Sequence, residues 1–279
     1  MLISIIIVNY NTKELLKNCI KSIQEKTCDV EYEIIVADNA SIDDSCEMLE
    51  QEFPEVKLIK LPTNLGFGKA NNEGLKIAQG KYIFFLNSDC VLYNNAIKIL
   101  SDFMENNPDC GACGGDLLDE HLNRNAAIGM QSRFQDWIIT HSILKFLFPS
   151  KYKEIKYYQK NFNRDKSAEV GYITGADLMI RKDVIDKVGA FSPEFFLYFE
   201  ETELQFRILE AGYKIFYVAD SKIIHLEGKS ITPNKKLIML ESEFIYFRLT
   251  QGKLIEMLVK SASFPKYIRL KSKSLMRQK

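Results

Sequence analysis

Leu2-Ile3-Ser4-Ile5-Ile6-Ile7-Val8 is a nearly unbroken aliphatic, β-branched run. Such a run suits a strand buried on both faces, as in a parallel sheet covered by helices. Outward from it, strand and helix patterns alternate. Leu15, Leu16, Cys19, Ile20 and Ile23 recur at helical spacing. Residues 32–37 read as a second strand ending at Asp38. Ser41, Asp43 or Asp44 can cap a following helix that carries Met48 and Leu49. Residues 56–61 predict a third strand, 67–78 a helix stopped by Gly80, and 82–86 a fourth strand ending at Asn87-Ser88-Asp89. Ile97, Leu100, Phe103 and Met104 form another helical stripe. Alternation with short connections predicts an α/β fold whose central sheet is mostly parallel and flanked by helices. Ligands bind such sheets at the carboxyl ends of the strands, so Asp38 and Asp89 are expected on one rim.

Composition narrows the function classes. The 279 residues are enough for one α/β domain with an appendage, and 46% apolar content can fill its core. Lys and Arg (37) balance Asp and Glu (37), which argues against a nucleic-acid partner. No stretch of about 20 apolar residues occurs, so no transmembrane helix is predicted. The first residues lack the basic leader and cleavage site of a signal peptide, and a cytoplasmic location is expected. Cys110-Gly111-Ala112-Cys113 has redox or zinc spacing, but no second pair or nearby His completes a site, so these read as reduced thiols beside a strand. Around residues 137–148, Trp137, Ile138, Ile139, Ile143, Leu144, Phe146, Leu147 and Phe148 crowd together, with Lys151, Lys153, Lys156 and Lys160 after them. Residues 260–279 hold seven basic side chains and no acid, interleaved with Phe264, Tyr267, Ile268, Leu270, Leu275 and Met276. Both stretches fit either an interfacial surface for an anionic membrane or, more plainly, packing on the domain and a solvated end.

Five segments carry candidate chemistry. Asn87-Ser88-Asp89 at a strand end fits a divalent cation held with substrate phosphates, or simply a turn. Asp38-Asn39-Ala40-Ser41 can bind a base or ribose, or cap a helix. Gly66 and Gly68 precede a helix and allow close backbone approach to an anion. The segment around them matches neither the Walker nor the dinucleotide pattern. Glu200, Glu201 and Glu203 follow an aromatic run, where apolar neighbours raise a carboxyl pKa and prepare a general base. Glu203 and Arg207 have ion-pair spacing. His225 is one of three histidines and is either a ligand or a structural residue.

The order Val8-Asn9-Tyr10-Asn11, Asp38-Asn39-Ala40-Ser41, Asn64-x-Gly66-x-Gly68-x-Ala70-Asn71-Asn72-x-Gly74, Asn87-Ser88-Asp89, Thr174-Gly175-Ala176, Glu200-Glu201-x-Glu203-Leu204-x-x-Arg207 and His225-x-x-Gly228-x-Ser230 resembles the family-2 inverting glycosyltransferases. The likeness is greatest to their bacterial rhamnosyltransferase-like branch and covers about residues 2–230. It implies a GT-A fold, a nucleotide-diphosphate sugar donor and a divalent cation, Mg²⁺ or Mn²⁺. It also implies site roles. Asn9, Tyr10, Asp38 and Asn39 would hold the nucleoside, and Gly66, Lys69 and Asn72 would lie by the donor. Asn87, Ser88 and Asp89 match the metal and diphosphate motif, with Asp89 and His225 as metal ligands. Glu201 stands at the catalytic-base position, usually an Asp. Asn87 leaves Asp89 as the single charged ligand of its motif, and Glu201 lengthens the base by one methylene.

The expected domains are 1–230, with a nucleotide-sugar half about 1–115 and an acceptor half about 116–230, and a helical basic extension over 231–279. The expected reaction is a single displacement moving a hexose, with rhamnose favoured, from a dTDP- or UDP-linked donor to a saccharide acceptor. That acceptor would be polyprenyl-linked, with the protein peripheral on the inner membrane face. Two alternatives stand beside it. One is a degenerate homologue acting as a partner, motivated by Asn87 and Glu201. The other is a sugar-nucleotide pyrophosphorylase, disfavoured because Asn9-Tyr10-Asn11-Thr12 replaces that class's Gly-rich basic loop.

Overall fold

Residues Leu2–Asn9 form β1, and its side chains alternate between two cores. Ile3, Ile5 and Ile7 enter one apolar cluster and Ile6 the other, as period-2 alternation in a doubly covered strand requires. Burying each such side chain contributes about 1.5–3 kcal/mol. The computed structural model describes residues 2–125, 127–153, 155, 162–226 and 234–276. Gly228, Ser230, Lys156, Lys160, Arg277 and Lys279, singled out above, lie outside the described residues.

The other strands are β2 (Glu31–Asp38), β3 (Lys57–Lys60), β4 (Tyr82–Asn87), β5 (Cys90–Leu92), β6 (Cys110–Leu118), β7 (Ile128–Gly129), β8 (Ala168–Glu169), β9 (Tyr172–Ile173), β10 (Asp177–Arg181) and β11 (Lys214–His225). The helices are α1 (Lys13–Lys26), α2 (Ser45–Glu52), α3 (Phe67–Leu75), α4 (Ala96–Asn106), α5 (Phe134–His141), α6 (Leu144–Leu147), α7 (Lys182–Val188), α8 (Glu200–Glu210), α9 (Lys235–Gln251) and α10 (Lys253–Met276). The main sheet runs β3-β2-β1-β4-β10-β6-β11-β5, with β8 added to β11. Side chains of α1, α2 and α4 cover one face, and those of α3, α7 and α8 the other. The expected α/β architecture with C-terminal helices is what forms.

The sheet departs from simple parallel winding in its second half. The β3-β2-β1-β4 portion is parallel, and β6 runs parallel to β11. Between them β10 runs antiparallel to both β4 and β6. Its start therefore lies at the rim where β4 and β6 end. β11 shifts register between Val218 and Lys222, and beyond that bulge it pairs antiparallel with β5, setting His225 opposite Cys90. The helix expected to reach residue 78 stops at Leu75.

A third cluster lies outside the sheet. Trp137 of α5 joins Leu240, Phe244, Tyr246 and Phe247 of α9, Val259 of α10, and Phe195. Trp137, 7% exposed, donates its indole N–H to Glu243 at 3.0 Å. Trp137 is therefore interior and Ile138 half-buried against the same cluster, whereas Ile143, Phe146, Leu147 and Phe148 stay exposed.

Candidate active site

Strand register builds the rim. Asn9 aligns with Asp38 and Val8 with Asn87, so three expected site residues leave the sheet side by side. Asn9 is fully buried and donates through Nδ2 to Asp38 Oδ2 at 2.8 Å and Ser41 Oγ at 3.0 Å. Its Oδ1 accepts from the Thr12 hydroxyl at 2.6 Å, and Thr12 also contacts the Ser88 hydroxyl at 2.9 Å. The Ser41 N–H donates to Asp38 Oδ1 at 2.9 Å. Asp38 thus ties the loop that follows β2 to Asn9 at the end of β1. Asp43, one of the expected caps, accepts from the Ser45 N–H and hydroxyl at the start of α2. Tyr10, 48% exposed, stands next to this clip.

Asn39 and Asn64 knit the next loop. The Leu65 N–H donates to Asn39 Oδ1 at 2.8 Å, and Asn39 Nδ2 donates to Asn64 Oδ1 and to the Gly66 carbonyl. Gly66 has φ +86°, and a Cβ there would meet the Phe196 carbonyl oxygen at 2.0 Å. Only glycine permits that approach. The Phe67 N–H donates to the same Phe196 oxygen at 2.9 Å. Asn72 exchanges two hydrogen bonds with the Phe191 backbone, so its amide ties α3 to that loop. Lys69 makes no ion pair among the described residues.

On the other side of the rim, Asp89 Oδ1 lies 3.3 Å from His225 Nε2, and both side chains are largely buried. Cys90 completes a trio whose ligand atoms lie within 4.8 Å of one another. Burial, reinforced by the Asp89 charge, pushes the Cys90 thiol far up, and its S–H faces the Ala176 carbonyl at 3.4 Å. A carboxylate oxygen and an imidazole nitrogen are donors that Mn²⁺ accepts, and the oxygen alone suits Mg²⁺. The residues present therefore fit a divalent cation. Sequence reading missed Cys90, whose proximity depends on the pairing of β5 with the end of β11.

The acids of α8 separate into three environments. Tyr198 (φ +72°) and Phe199 (φ +70°) precede them in left-handed backbone, a conformation that costs non-glycine residues about 1 kcal/mol or more each. Glu200 is 2% exposed, and its Oε2 has no hydrogen-bond partner among the described residues. Burial, then the neighbouring Glu201 charge, pushes its carboxyl up to about 8. Glu201 is half-buried. Burial raises its carboxyl too, while the backbone amides of Glu201, Thr202 and Gly175 oppose the rise. Glu203 is committed elsewhere. It forms a two-point ion pair with Arg207 at 2.8 and 2.9 Å, and Arg207 also donates to the carbonyls of Val188, Gly189 and Ala190.

The Thr174-Gly175-Ala176 segment joins the two sides. The Gly175 amide supports the Glu201 carboxylate, and the Ala176 carbonyl accepts from the Asn87 N–H at 3.0 Å and faces Cys90. A Cβ on Gly175 would press on Phe67 and Glu201 at 3.3–3.5 Å. Its small residues were visible in the sequence, but their bridging position was not.

Over 213 residues, 71% of this chain and 67% of the relative, the chain is 25% identical to the N-acetylglucosaminyl-diphospho-decaprenol L-rhamnosyltransferase of Mycobacterium tuberculosis. It is 36% identical over 112 residues, 38% of this chain and 18% of the relative, to the poly(ribitol-phosphate) beta-glucosyltransferase of Bacillus spizizenii. Its fold is similar to that of the mannosyltransferase PcManGT from Pyrobaculum calidifontis, solved in complex with GDP-Man and Mn²⁺. That match has a TM-score of 0.61 at 14% identity and covers 99% of this chain and 74% of that one. S. aureus TarS gives a TM-score of 0.58 at 15% identity, covering 96% and 43%. The model of the family described as "Glycosyl transferase family 2" matches residues 4–189, two-thirds of the sequence. On that match, the chain belongs to glycosyl transferase family 2.

Proposed function

We propose that the chain moves a hexose, with rhamnose favoured, from a dTDP- or UDP-linked donor to a hydroxyl of a saccharide acceptor, inverting the anomeric centre. The acceptor is taken to be carried on a polyprenyl diphosphate, as the name of the mycobacterial relative states for that protein, in synthesis of a bacterial surface polysaccharide. Residues 1–115 would hold the donor, 116–230 the acceptor, and 231–279 would form an appendage. The observation that carries the reading is the Gly175-Ala176 segment, which packs on the proposed base on one side and contacts Asn87 and Cys90, the neighbours of the Asp89–His225 pair, on the other.

The roles follow from what each side chain has free. The exposed Tyr10 ring offers a stacking face for the base beside the rigid Asn9–Asp38 clip. Asn39 holds the Gly66 loop open for the donor. Lys69, without an ion pair among the described residues, is a cation for a phosphate, whereas Asn72 acts by fixing α3. Asn87 and Ser88 shape the diphosphate side. Asp89 and His225 would hold the Mg²⁺ or Mn²⁺ ion, which when bound neutralises charge on the leaving diphosphate. Glu201 takes the proton of the acceptor hydroxyl as that oxygen attacks the face opposite the leaving group. Glu203 cannot take that role without giving up Arg207.

A panel of nucleotide sugars, scored for donor hydrolysis with and without Mn²⁺ or Mg²⁺, tests the proposal. The expected result is metal-stimulated turnover of a pyrimidine-diphosphate hexose that Asp89→Ala loses while keeping its melting temperature. Full metal-stimulated activity in Asp89→Ala removes the ligand assignment. Preferential stabilisation by a purine-diphosphate sugar overturns the donor assignment. Turnover of any donor excludes the non-catalytic partner reading.

A further inference from the structure

The last helix, α10, has two apolar faces rather than one. Glu256, Val259 and Ser263, with the half-buried Tyr267 and Leu270, form a stripe packed on α9. At 3.6 residues per turn, Leu254, Met257, Leu258, Phe264, Ile268 and Leu275 fall on the opposite side, and all six are exposed. Leu254 is 69% exposed and Phe264 59%. The same turn angle puts Lys253, Lys260 and Lys271 along one shoulder of this outer stripe and Lys266, Arg269 and Lys273 along the other. The single acid of the helix, Glu256, is buried and bonded to Lys260.

The geometry points to the outer face of α10 as a docking surface for an anionic lipid bilayer. An apolar stripe between two cationic rows matches the acyl boundary and the phosphate layer of a leaflet. It does not match a second copy of the chain, because a two-fold pairing of this face would bring basic row against basic row. A second feature supports the same partner. Ile143, Phe146, Leu147 and Phe148, around α6, are all at least half exposed, with Phe146 at 76%, and Lys145 lies over the Phe146 ring. α6 follows α5, whose Trp137 is seated in the cluster that α9 and α10 build.

The docking layer is also bonded to the catalytic loop. The Ser242 hydroxyl of α9 donates to the Leu197 carbonyl at 2.8 Å, and Phe199 packs against Tyr246 with centroids 5.5 Å apart. Phe195 is enclosed by the same helices. A helix pair resting on lipid would thus support the segment that ends in Glu200 and Glu201. The inference relies on the proposed lipid-linked acceptor for its biological sense, but binding to vesicles is measured without any turnover.

The test is co-flotation of the full-length protein with phosphatidylcholine vesicles and with vesicles of about one-third phosphatidylglycerol. Wild type should bind the anionic vesicles at low salt, with binding weakened as salt screens the basic rows. The triple variant Met257→Glu, Phe264→Glu, Ile268→Glu changes only exposed positions and should bind at least about 100-fold more weakly. The triple variant Arg269→Ala, Lys271→Ala, Lys273→Ala should lose about 100-fold as well. Both should keep wild-type melting temperature and wild-type donor hydrolysis. The idea is overturned if wild type ignores anionic vesicles at low salt. It is equally overturned if the glutamate variant binds them like wild type, or if wild type is a dimer in solution that the glutamate changes split. Absent donor hydrolysis in a wild type that still binds vesicles would count against the proposed function and leave the surface standing.

Discussion

The two sides of the rim are built on opposite principles. Around Asn9 and Asp38 the buried polar atoms bond to one another and to backbone, so that Asn9, Thr12, Asp38, Ser41 and Ser88 form one continuous network. At the start of α8, two left-handed aromatic residues lead into a buried carboxyl with an oxygen unpartnered among the described residues, beside a second, half-buried carboxyl that backbone amides support. Saturated networks rigidify, while unsaturated and strained ones persist only where the surroundings hold them. On the proposed roles, the contrast separates a scaffold for the nucleoside from a place where a proton changes hands.

The sharpest way to break this comparison is Glu201→Gln. Transfer should fall by about 100-fold or more, the lower range for removal of a general base, with donor affinity retained in a binding assay. Glu203→Gln should act on stability instead, through Arg207. A large rate loss from Glu203→Gln with Glu201→Gln nearly silent would move the base two residues along.

A second test uses pH. With its native carboxyl pushed up to about 8 and an unfolded value near 4.3, Glu200 stays protonated in the fold while the unfolded chain ionises. Its contribution to stability is complete below about pH 4.3 and is lost progressively as pH rises to about 8. Glu200→Gln should therefore flatten the pH dependence of the melting temperature, with its gain over wild type growing steadily from pH 5 to about 8. Parallel melting curves for the two proteins across that window would refute the assignment.

The smallest effect is expected from the saturated side. Asn9→Ala leaves Asp38, Ser41 and Thr12 short of a partner and should cost about 1–3 kcal/mol in urea unfolding. Donor affinity should fall through loosening of the loop, while the pH profile of transfer stays unchanged. A shifted pH profile would mean that the network takes part in proton transfer after all.

The saturated side was also the more legible from sequence. β1, β2 and β4 announce themselves as apolar runs, each ending at a polar residue, and parallel pairing then sets Asn9, Asp38 and Asn87 in line. The Glu203–Arg207 pair follows from helical spacing alone. β10 was hidden because Asp177–Arg181 is a five-residue segment whose neighbours in the sheet are Tyr82–Asn87 and Cys110–Leu118, far away in the chain. The meeting of Cys90 with His225 has the same cause, since a three-residue strand carries almost no pattern of its own. The 137–148 run shows a different limit. Hydrophobicity alone does not say which half a later helix covers, and here α9 covers Trp137 while the residues around α6 remain exposed.

The contact between Gly66 and Phe196 has a consequence for how the protein matures. A hydrogen bond from Phe67 to Phe196 closes a loop of well over one hundred residues, and contacts of such long range carry a large closure entropy and form slowly. A ribosome-bound chain can assemble β1, β2 and β4 while everything after residue 196 is still unmade. In that state the hydrogen-bonded clip of Asn9, Asp38 and Ser41 has its partners, while Glu200 and Glu201 are not yet made. On the proposed roles, the residues for the nucleoside are made well before Glu201 and His225, and the rim is complete only once the Gly66 and Phe196 loops meet.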